Sequence, residues 1–378
     1  MKLKELGEYF IGLTYKPENI SDKGIIVLRS GNIQDGQFDL SDIVRVDTVI
    51  REKQFVKPGD ILMCSRNGSA RLVGKSTVIP VINEPMTFGA FMTIFRTPYN
   101  DYLKFFLQSS SFRKQLSGSK TTTINQITIR MLDNIDMDLP GHVERKKRIE
   151  KLETLQKIIG LRKKELGKLD DIIKARFVEM FGDLRINKKG WGLRSFDDLT
   201  VLITDGEHAT PKRTSEGIYL LSARNILNHA IRLDDVDYID QEEYDRIAKR
   251  VIPTEGDVLI SCSGTVGRCC AVPADLKFQM VRSAALLRFK PEIKPKFAEY
   301  MITSDFIQEQ INQSKTASSQ ANLFQGKIAK LKGFVPPIDM QEQFTDFISQ
   351  VDKSKIEVQK SLDEAQILFD SLMQQYFG

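Results

Sequence analysis

A chain of 378 residues is long enough for two or more domains with their own cores, and 41% hydrophobic content is ordinary for a globular protein. A net charge of +5 allows a polyanionic partner without establishing one. The N-terminal MKLKELGEYF lacks an apolar core of signal-peptide length, and no window approaches 18 apolar residues. We therefore expect no signal peptide, no membrane span and a cytoplasmic location.

The first third of the chain is predicted to be a mixed α/β globule with several short strands. The stretch LRSGNIQDGQFDLSDI (28–43) precedes PGDILMCS (58–65), where a short apolar run between turn residues predicts a strand. Apolar residues in 101–116 have helical spacing, and the polar GSKTTTINQ (118–126) predicts a loop. We expect this globule to occupy residues 1–141.

A long charged and apolar segment follows at residues 142–183. Leu152, Ile159, Leu166 and Ile173 recur every seven residues, which predicts a long helix packed against another long helix. At about 1.5 Å per residue, roughly 40 residues form a rod of roughly 60 Å.

The remaining residues repeat this plan. LSARNILNHAIRLDDV (221–236) resembles 28–43, EGDVLISC (255–262) resembles PGDILMCS, and 296–311 has the helical spacing of 101–116. The repeat predicts a second similar globule at 184–338 and a second long helix at 339–378. The apolar seam of that helix consists of Val351, Val358, Ala365 and Leu372.

Charge favours pairing of the two helices. Residues 144–183 contain 12 Lys/Arg and 8 Asp/Glu, whereas 341–378 contain 3 and 7, so the net charges are +4 and −4. The second helix has another row of residues at seven-residue spacing, and only Lys355 interrupts the apolar character of that row. Two independently solvated helices remain the alternative.

Metal and nucleophile chemistry have little support in the sequence. Cys64, Cys262, Cys269 and Cys270 have no paired CxxC spacing and no nearby His cluster, so we expect neither a metal site nor a disulfide framework. No Ser or Cys nucleophile with a matching acid partner is suggested.

LVGKST (72–77) resembles a phosphate-binding loop but departs from its pattern. The pattern needs a glycine five residues before Gly-Lys-Ser/Thr, and Ser69 occupies that position. Gly68 lies one residue too far, and the second copy, VGRCC, lacks both lysine and hydroxyl. Nucleotide hydrolysis is therefore rejected.

The repeated loop after the GDIL and GDVL strands is the main candidate for ligand contact. Glycine allows close backbone approach, while Ser, Asn and Arg can reach base edges or phosphates. The alternative is a tight turn that needs glycine for geometry alone. The candidates in the two copies are Ser65, Arg66, Asn67, Arg71, Lys75, Ser263, Thr265 and Arg268.

Other candidates lie in polar stretches elsewhere in each globule. They come from the repeated LRSGNI and LSARNI segments, from DGEHATPKR (205–213), and from the polar loops at 118–126 and 314–325. Such loops hold phosphates or are simply solvated turns. These candidates are Arg29, Asn32, Arg224, Asn225, His208, Thr210, Lys212, Arg213, Lys120, Thr122, Lys315 and Ser319.

The order and duplication of these motifs resemble the specificity subunit of type I restriction–modification systems over essentially the whole chain. The resemblance rests on GDIL and GDVL with their glycine loops, on LRSGNI and LSARNI, on DGEHATP, and on the ends FVEMFGD and QQYFG. The first globule departs from it, because it has LTYKPEN where a counterpart of DGEHATP would stand.

The resemblance implies a mixed α+β fold: two similar target recognition domains separated by two long, antiparallel, coiled-coil-like helices. It implies that each globule reads one half of a split, asymmetric site in double-stranded DNA. It also implies that the helices set the spacing and bind two modification subunits, and that a restriction subunit can join them.

The same resemblance implies a non-enzymatic chain. S-adenosylmethionine, ATP and Mg²⁺ are then expected on partner subunits only. The sequence agrees in lacking an NPPY-type methyltransferase motif and an FxGxG cofactor loop. Two alternatives stay open: the specificity subunit of a stand-alone methylase without nuclease, and a coiled-coil scaffold whose globules bind protein.

We predict that the isolated chain neither binds S-adenosylmethionine nor hydrolyses ATP, because the cofactor loop is absent and the phosphate-loop pattern is broken. Equilibrium dialysis and phosphate release would measure both. Saturable ATP binding that is lost in Lys75→Ala would contradict the prediction.

Overall fold

The structure, a computed structural model, describes residues 1–117, 126–314 and 322–378. The chain divides into two compact units, residues 1–163 with 360–378 and residues 164–359. Each unit holds one globule and a part of each long helix. The units thus divide the chain differently from the four segments expected from the sequence, because each globule packs on the helix parts next to it.

The first unit contains a mixed α+β globule. Single-turn 3₁₀ helices connect several of its strands, at Leu3–Glu5, Pro17–Asn19, Ser30–Asn32, Glu52–Gln54 and Ala70–Leu72. Its strands are β1 (Glu8–Ile11), β2 (Ile20–Leu28), β3 (Ile33–Gln34), β4 (Gln37–Phe38), β5 (Arg45–Val46), β6 (Ile61–Cys64), β7 (Ser76–Val78), β8 (Met86–Phe88) and β9 (Met92–Arg96), and its short helices are α1 (Asn100–Phe106), α2 (Ser110–Ser117) and α3 (Ile129–Asp133).

Long helix α4 (His142–Phe181) runs from the first unit into the second. The second globule also contains a 3₁₀ turn at Ala223–Asn225. Its elements are β10 (Leu193–Ser195), α5 (Phe196–Leu199), β11 (Thr200–Asp205), β12 (Ile218–Leu221), β13 (Ile226–Leu227), β14 (Ala230–Ile231), β15 (Asp237–Ile239), α6 (Gln241–Ala248), β16 (Val258–Ser261), β17 (Cys269–Ala271), β18 (Phe278–Met280), β19 (Ala284–Phe289), α7 (Pro295–Thr303), α8 (Asp305–Ser314), α9 (Gln325–Ile328) and β20 (Lys332–Phe334). The long helix α10 (Ile338–Phe377) follows and runs from the second unit into the first.

The two globules have the same strand order. In the first, one sheet has the order β1-β9-β6-β7 and another β5-β2-β8; in the second, the orders are β11-β19-β16-β17 and β15-β12-β18. The pair β2–β8 is parallel, and so is its counterpart β12–β18. The predicted mixed α+β fold is confirmed, and the repeat in the sequence is a repeat of topology.

Local differences separate the globules. Helix α6 occupies Gln241–Ala248, whereas the matching part of the first globule is the 3₁₀ turn Glu52–Gln54.

Both globules share one departure from the sequence prediction. The helical segments 101–116 and 296–311 are each broken into two short helices, α1 with α2 and α7 with α8.

The aspartate of the repeated Gly-Asp pair forms an ion pair with an arginine, and the same ion pair occurs in each globule. Both Asp60 Oδ atoms accept hydrogen bonds from Arg96 of β9, at 2.7 Å each, and Asp257 accepts the same two bonds from Arg288 of β19 at 2.7 Å. The two aspartates are 2% and 1% exposed, so these charges are almost fully desolvated on the carboxylate side. A two-bond arginine fork fixes the geometry between the central strands of each sheet.

In the second unit the long helices pack antiparallel. Asp170 of α4 pairs with Lys355 of α10 at 2.5 Å, and further along, Phe177 lies 5.4 Å from Phe344 between ring centroids. Residue numbers thus rise along α4 as they fall along α10. Lys355, which interrupts the apolar seam, is accommodated because Asp170 neutralises it.

The first unit shows the matching arrangement at the other helix ends. The Arg148 guanidinium lies 4.9 Å from the Tyr376 ring centroid, and the Phe377 ring packs 5.0 Å from Tyr102 of α1. Phe369 packs 6.4 Å from Phe105, also of α1. The end of α10 is therefore part of the first globule's core.

Most of the predicted helix seam is buried. Leu152, Ile159, Ile173, Val351 and Ala365 are buried, whereas Leu166, Val358 and Leu372 are half-buried. Both long helices are heavily charged outside this seam. Within the described ranges, no helix combines the length and the apolar content needed to cross a membrane.

We predict that Ile173→Ala lowers the free energy of unfolding by about 2–5 kcal/mol, because the side chain is 1% exposed and its removal leaves a cavity. Urea denaturation of the full chain measures the loss. The neighbouring Ile172 is 47% exposed, so Ile172→Ala should change the same quantity by less than about 0.5 kcal/mol. Equal losses in the two variants would show that the seam is placed incorrectly.

Candidate nucleic-acid interface

The glycine loop of the first unit, residues 65–75, is held by a frame of main-chain hydrogen bonds. The N–H groups of Ser65 and Arg66 donate to the carbonyl of Phe91 at 2.9 and 3.0 Å, and the Ser65 carbonyl accepts from Ile127 N–H at 2.7 Å. Arg66 also forms a β-bridge with Gln126. Three separate chain segments thus meet at the start of the loop.

The second unit builds the same frame around its glycine loop, residues 262–268. Cys262 N–H donates to the Ser283 carbonyl at 2.8 Å, and the Cys262 carbonyl accepts from Leu323 N–H at 2.9 Å. A β-bridge joins Ser263 to Asn322. We call this arrangement the three-segment frame in both units, and it explains why the loop occurs twice.

Glycine is required inside both loops by backbone conformation. Gly74 has φ +87° and Gly267 has φ +93°, a region that residues with a Cβ rarely adopt. Their N–H groups donate back to the carbonyls of Cys64 and Ser261 at 2.8 and 2.9 Å. The glycines therefore close the turn, which is the alternative that sequence reasoning left open for them.

The side chains on the two frames differ. In the first unit Arg66 donates to the Gln126 side-chain oxygen, and its guanidinium lies 5.7 Å from the Phe91 ring centroid. In the second unit the corresponding positions carry Ser263, Asn322 and Ser283. A common backbone thus carries different side chains in the two units.

Sequence reasoning missed Gln126 and Phe91. Gln126 is the last residue of the polar stretch 118–126, so its position in the sequence was a weak indication of a contact residue. Phe91 gave none, because an aromatic residue beside a strand is usually core, yet it is 59% exposed.

Several candidates of the first unit have other contacts. Asn67 donates to Ser30 Oγ at 3.2 Å, and Arg29 pairs with Asp42 at 2.9 Å. Ser65 is 7% exposed and donates to the Phe91 carbonyl. Arg71 is exposed and Lys75 is half-buried on the loop.

Asn32 and Asn225 require a correction, because the structure gives them a role inside the globules. Asn32 is 1% exposed; its Nδ2 donates to the carbonyls of Asp39 and Asp42 at 2.9 Å each, and its Oδ1 accepts from Arg29 N–H at 2.8 Å. Asn225 is 0% exposed and makes the same set of three bonds. These side chains tie down the turns that follow LRSGNI and LSARNI, so we remove them from the candidate contacts.

The loop 205–213 of the second unit is braced by carboxylates. His208 contacts Asp205 at 2.8 Å, and Arg250 just beyond α6 also pairs with Asp205. Lys212 is held through its main-chain N–H, which donates to Glu243 at 3.1 Å, and the side chain of Thr210 is exposed. The hydrogen bond from Arg246 lowers the pKa of Glu243.

Arg213 and Arg224 share one aspartate. They donate to the two Asp237 oxygens at 2.8 and 2.9 Å. Burial opposes ionisation of Asp237, but these two hydrogen bonds hold its pKa below the usual value. The structure thus brings both predicted arginines to one place, where each already has an anionic partner.

The remaining candidate residues lie on the second glycine loop or outside the residues that the structure describes. Ser263 is half-buried, Thr265 is exposed, and Arg268 is half-buried with its N–H donating to Ser261 Oγ at 3.0 Å. Lys120, Thr122, Lys315 and Ser319 lie outside the described residues.

The cysteines are buried rather than grouped as ligands. Burial, followed by the nearby carboxylates Asp205 and Glu299 respectively, raises the pKa of the Cys262 and Cys270 thiols to about 12. In residues 1–117, 126–314 and 322–378, no group of three or more His, Cys, Asp or Glu residues has metal-binding geometry.

Comparison with known proteins shows which family the chain resembles. Residues 190–367 match the family model of the type I restriction modification DNA specificity domain. The chain is 23% identical over 391 residues to the type I restriction enzyme EcoKI specificity subunit of Escherichia coli K12, covering 96% of this chain and 84% of that protein. This chain is similar to type I restriction–modification specificity subunits.

A second relative matches over part of its length. The StySPI specificity subunit of Salmonella potsdam is 33% identical over 172 residues, which is 43% of this chain and 37% of that protein. The prediction of a non-enzymatic chain agrees with the description of these relatives as specificity subunits.

Solved structures show the same fold. The specificity subunit of M. genitalium matches with a TM-score of 0.52 at 13% identity, covering 100% of this chain and 95% of the other. A chain solved in a study of complex assembly and conformational transition of the type I R-M system matches with a TM-score of 0.54 at 15% identity, covering 100% and 96%. The expected specificity-subunit architecture is thereby confirmed at the level of fold.

We predict that Asn225→Ala lowers the free energy of unfolding by about 2–3 kcal/mol, because it removes three buried hydrogen bonds and leaves their main-chain partners unpaired. Urea denaturation measures this loss. The exposed Asn83 offers a matched control, and Asn83→Ala should stay within about 0.5 kcal/mol of the parent. An unchanged stability with weakened DNA binding would restore Asn225 as a contact residue.

Proposed function

We propose that each unit of this specificity subunit reads one half of a split, asymmetric site in double-stranded DNA. The observation that carries the proposal is the duplicated three-segment frame, which has one backbone plan and different side chains in the two units. Polar and apolar side chains that differ between proteins read base edges, while cationic side chains bind phosphates regardless of base sequence. Two frames with different side chains suit two different half-sites.

The two units differ in charge, which supports unequal roles in binding the DNA backbone. The first unit carries 27 Lys/Arg and 21 Asp/Glu, a net of +6; the second carries 28 and 29, a net of −1. In the second unit, Arg213, Arg224 and Arg250 already have carboxylate partners. Phosphate neutralisation therefore falls mainly to the first unit, with Arg71 and Lys75 as the contacts we propose on its loop.

In the second unit the proposed contacts are the exposed side chains near the frame and the 205–213 loop. Thr265 and Thr210 are exposed, and His208 is held by Asp205 rather than buried. Ser263 and Arg268 are half-buried on the glycine loop. These groups supply hydrogen bonds without a large excess of positive charge.

Exchange of residues 184–338 for the corresponding segment of another specificity subunit tests the proposal. The complex with the modification subunit should then methylate a motif with one altered half and one unchanged half. Methylome sequencing of the host reads both halves at once. Alteration of both halves would contradict the proposal, because it would indicate one composite site.

DNA binding by the assembled complex distinguishes the proposed function from the alternative of a protein-binding scaffold. The assembled complex should bind a duplex carrying its methylated motif, and unlabelled duplex of the same sequence should compete for it. A complex that lacks any DNA affinity while its globules capture protein would favour the scaffold.

We further propose that the long helices bind two modification subunits. Each unit exposes large apolar side chains on its helix stretches: Leu161 and Ile367 in the first are 56% and 69% exposed, and Ile172 and Ile356 in the second are 47% and 65% exposed. Apolar residues at such exposure suit contact with a partner helix. Two similar sets of this kind suit two copies of one partner.

We predict that Ile367→Asp and Ile356→Asp reduce association with the modification subunit by at least about tenfold, because each places an unpaired charge in the interface. Size-exclusion chromatography with light scattering gives the stoichiometry. Each single variant should lose one of two subunits, and the pair should lose both. Ile11→Asp, at a 60% exposed site on β1, provides the control and should assemble normally. Full assembly of the double variant would place the docking surface elsewhere.

A further inference from the structure

Phe91 is an exposed aromatic side chain at the edge of the first unit's frame. It is 59% exposed and lies just before β9. Its carbonyl accepts the N–H groups of both Ser65 and Arg66, so its main chain is fixed to the glycine loop. The Arg66 guanidinium, 5.7 Å from the ring centroid, covers part of the ring face.

Arg66 and Gln126 present hydrogen-bond donors beside this ring. Arg66 donates one N–H to Gln126 Oε1, which leaves the Gln126 NH₂ group and further guanidinium N–H groups without a hydrogen-bond partner among the described residues. Both residues are exposed. The cluster of Arg66, Gln126 and Phe91 therefore combines a donor-rich edge with an apolar surface.

Only the major-groove edge of the base pairs matches this combination of hydrogen-bond donors and an apolar surface. In the major groove guanine offers two acceptors, N7 and O6, while thymine offers the acceptor O4 and an apolar C5-methyl group. The minor groove displays no methyl group. A phenylalanine that inserts between bases as a wedge needs a free ring, whereas the Phe91 ring is covered in part by Arg66.

We propose that Arg66, Gln126 and Phe91 form the base-reading cluster of the first unit, which recognises a guanine next to a thymine in the major groove. Arg66 donates to guanine N7 and O6, Gln126 orients Arg66 and donates to a neighbouring acceptor, and Phe91 contacts the thymine C5-methyl group. This inference rests on the proposed function and names its chemistry for one half-site.

The second unit supports the inference by contrast. Its frame carries Ser263, Asn322 and Ser283 at the corresponding places, so the same base step is not recognised there. An exposed phenylalanine is nevertheless present two residues beyond Asn322, where Phe324 is 59% exposed. Both units thus expose an aromatic side chain near the frame, supplied by different segments.

The test uses duplexes that differ by single atoms or groups. Methylome sequencing of the wild type and of the 184–338 exchange first identifies the half-site that the exchange leaves unchanged. The complex with the modification subunit is then bound to that site with its thymines replaced one at a time by uracil, which lacks only the C5-methyl group. A second series replaces guanine by 7-deazaguanine, which lacks the N7 acceptor.

We expect one uracil position to weaken binding of the wild-type complex about fourfold, the effect of burying one methyl group. The same replacement should have no effect on Phe91→Ala and a reduced effect on Phe91→Leu. In Arg66→Ala, discrimination for the guanine beside that thymine should fall about 5- to 150-fold. Val81→Ala, at an 84% exposed site beyond β7, is the control and should behave as wild type.

Three results would overturn the inference. The unchanged half-site could lack a guanine next to a thymine, uracil could leave wild-type binding intact at every position, or Phe91→Ala could weaken thymine and uracil duplexes equally. Failure of the proposed function itself looks different, because the exchange would then leave no unchanged half to analyse. Since Phe91 is largely exposed, its variants should share the urea midpoint of Val81→Ala.

Discussion

Burial of apolar residues of the long helices in the core of each globule is the constraint on which each unit depends. A 40-residue helix as charged as α4 gains most of its stability from tertiary packing. In the second unit that packing is aromatic: Phe181 lies 5.1 Å from Phe297 of α7 and 5.5 Å from Phe344 of α10. In the first unit Phe377 enters the core beside Tyr102. The helix ends are therefore fixed in register with their own globule.

Within each globule, the repeated residues are those that maintain the backbone. Asp60 with Arg96 and Asp257 with Arg288 join the central strands, while Asn32 and Asn225 close equivalent turns. The varied residues stand on the three-segment frame. This separation lets the side chains on the frame change while the fold stays constant.

Much of the architecture could be predicted from the sequence because it depends on local pattern. The strands in GDIL and GDVL follow from apolar runs between turns, and the long helices follow from the seven-residue seam. The break between α1 and α2, and the helix α6 opposite a 3₁₀ turn, depend on tertiary packing that periodicity does not encode.

The candidate contacts were harder to predict, since a polar residue in a turn can be exposed or fully hydrogen-bonded within the fold. Asn32 and Asn225 had the residue type of a base contact and are buried, whereas Phe91 had the residue type of a core position and is exposed. The exposure of Phe91 is set by the three-segment frame, which joins residues far apart in the chain. The burial of the two asparagines is set by the turns that they close. No local pattern carries that information.

We propose that the paired helices set the distance between the two half-sites. Insertion of one heptad in each helix, after Lys163 in α4 and after Gln359 in α10, preserves both apolar seams and lengthens the pair by about 10 Å. Methylome sequencing should then show both half-sites unchanged and their spacer longer by about three base pairs, at about 3.4 Å each. An unchanged spacer in a stable, active complex would contradict the claim.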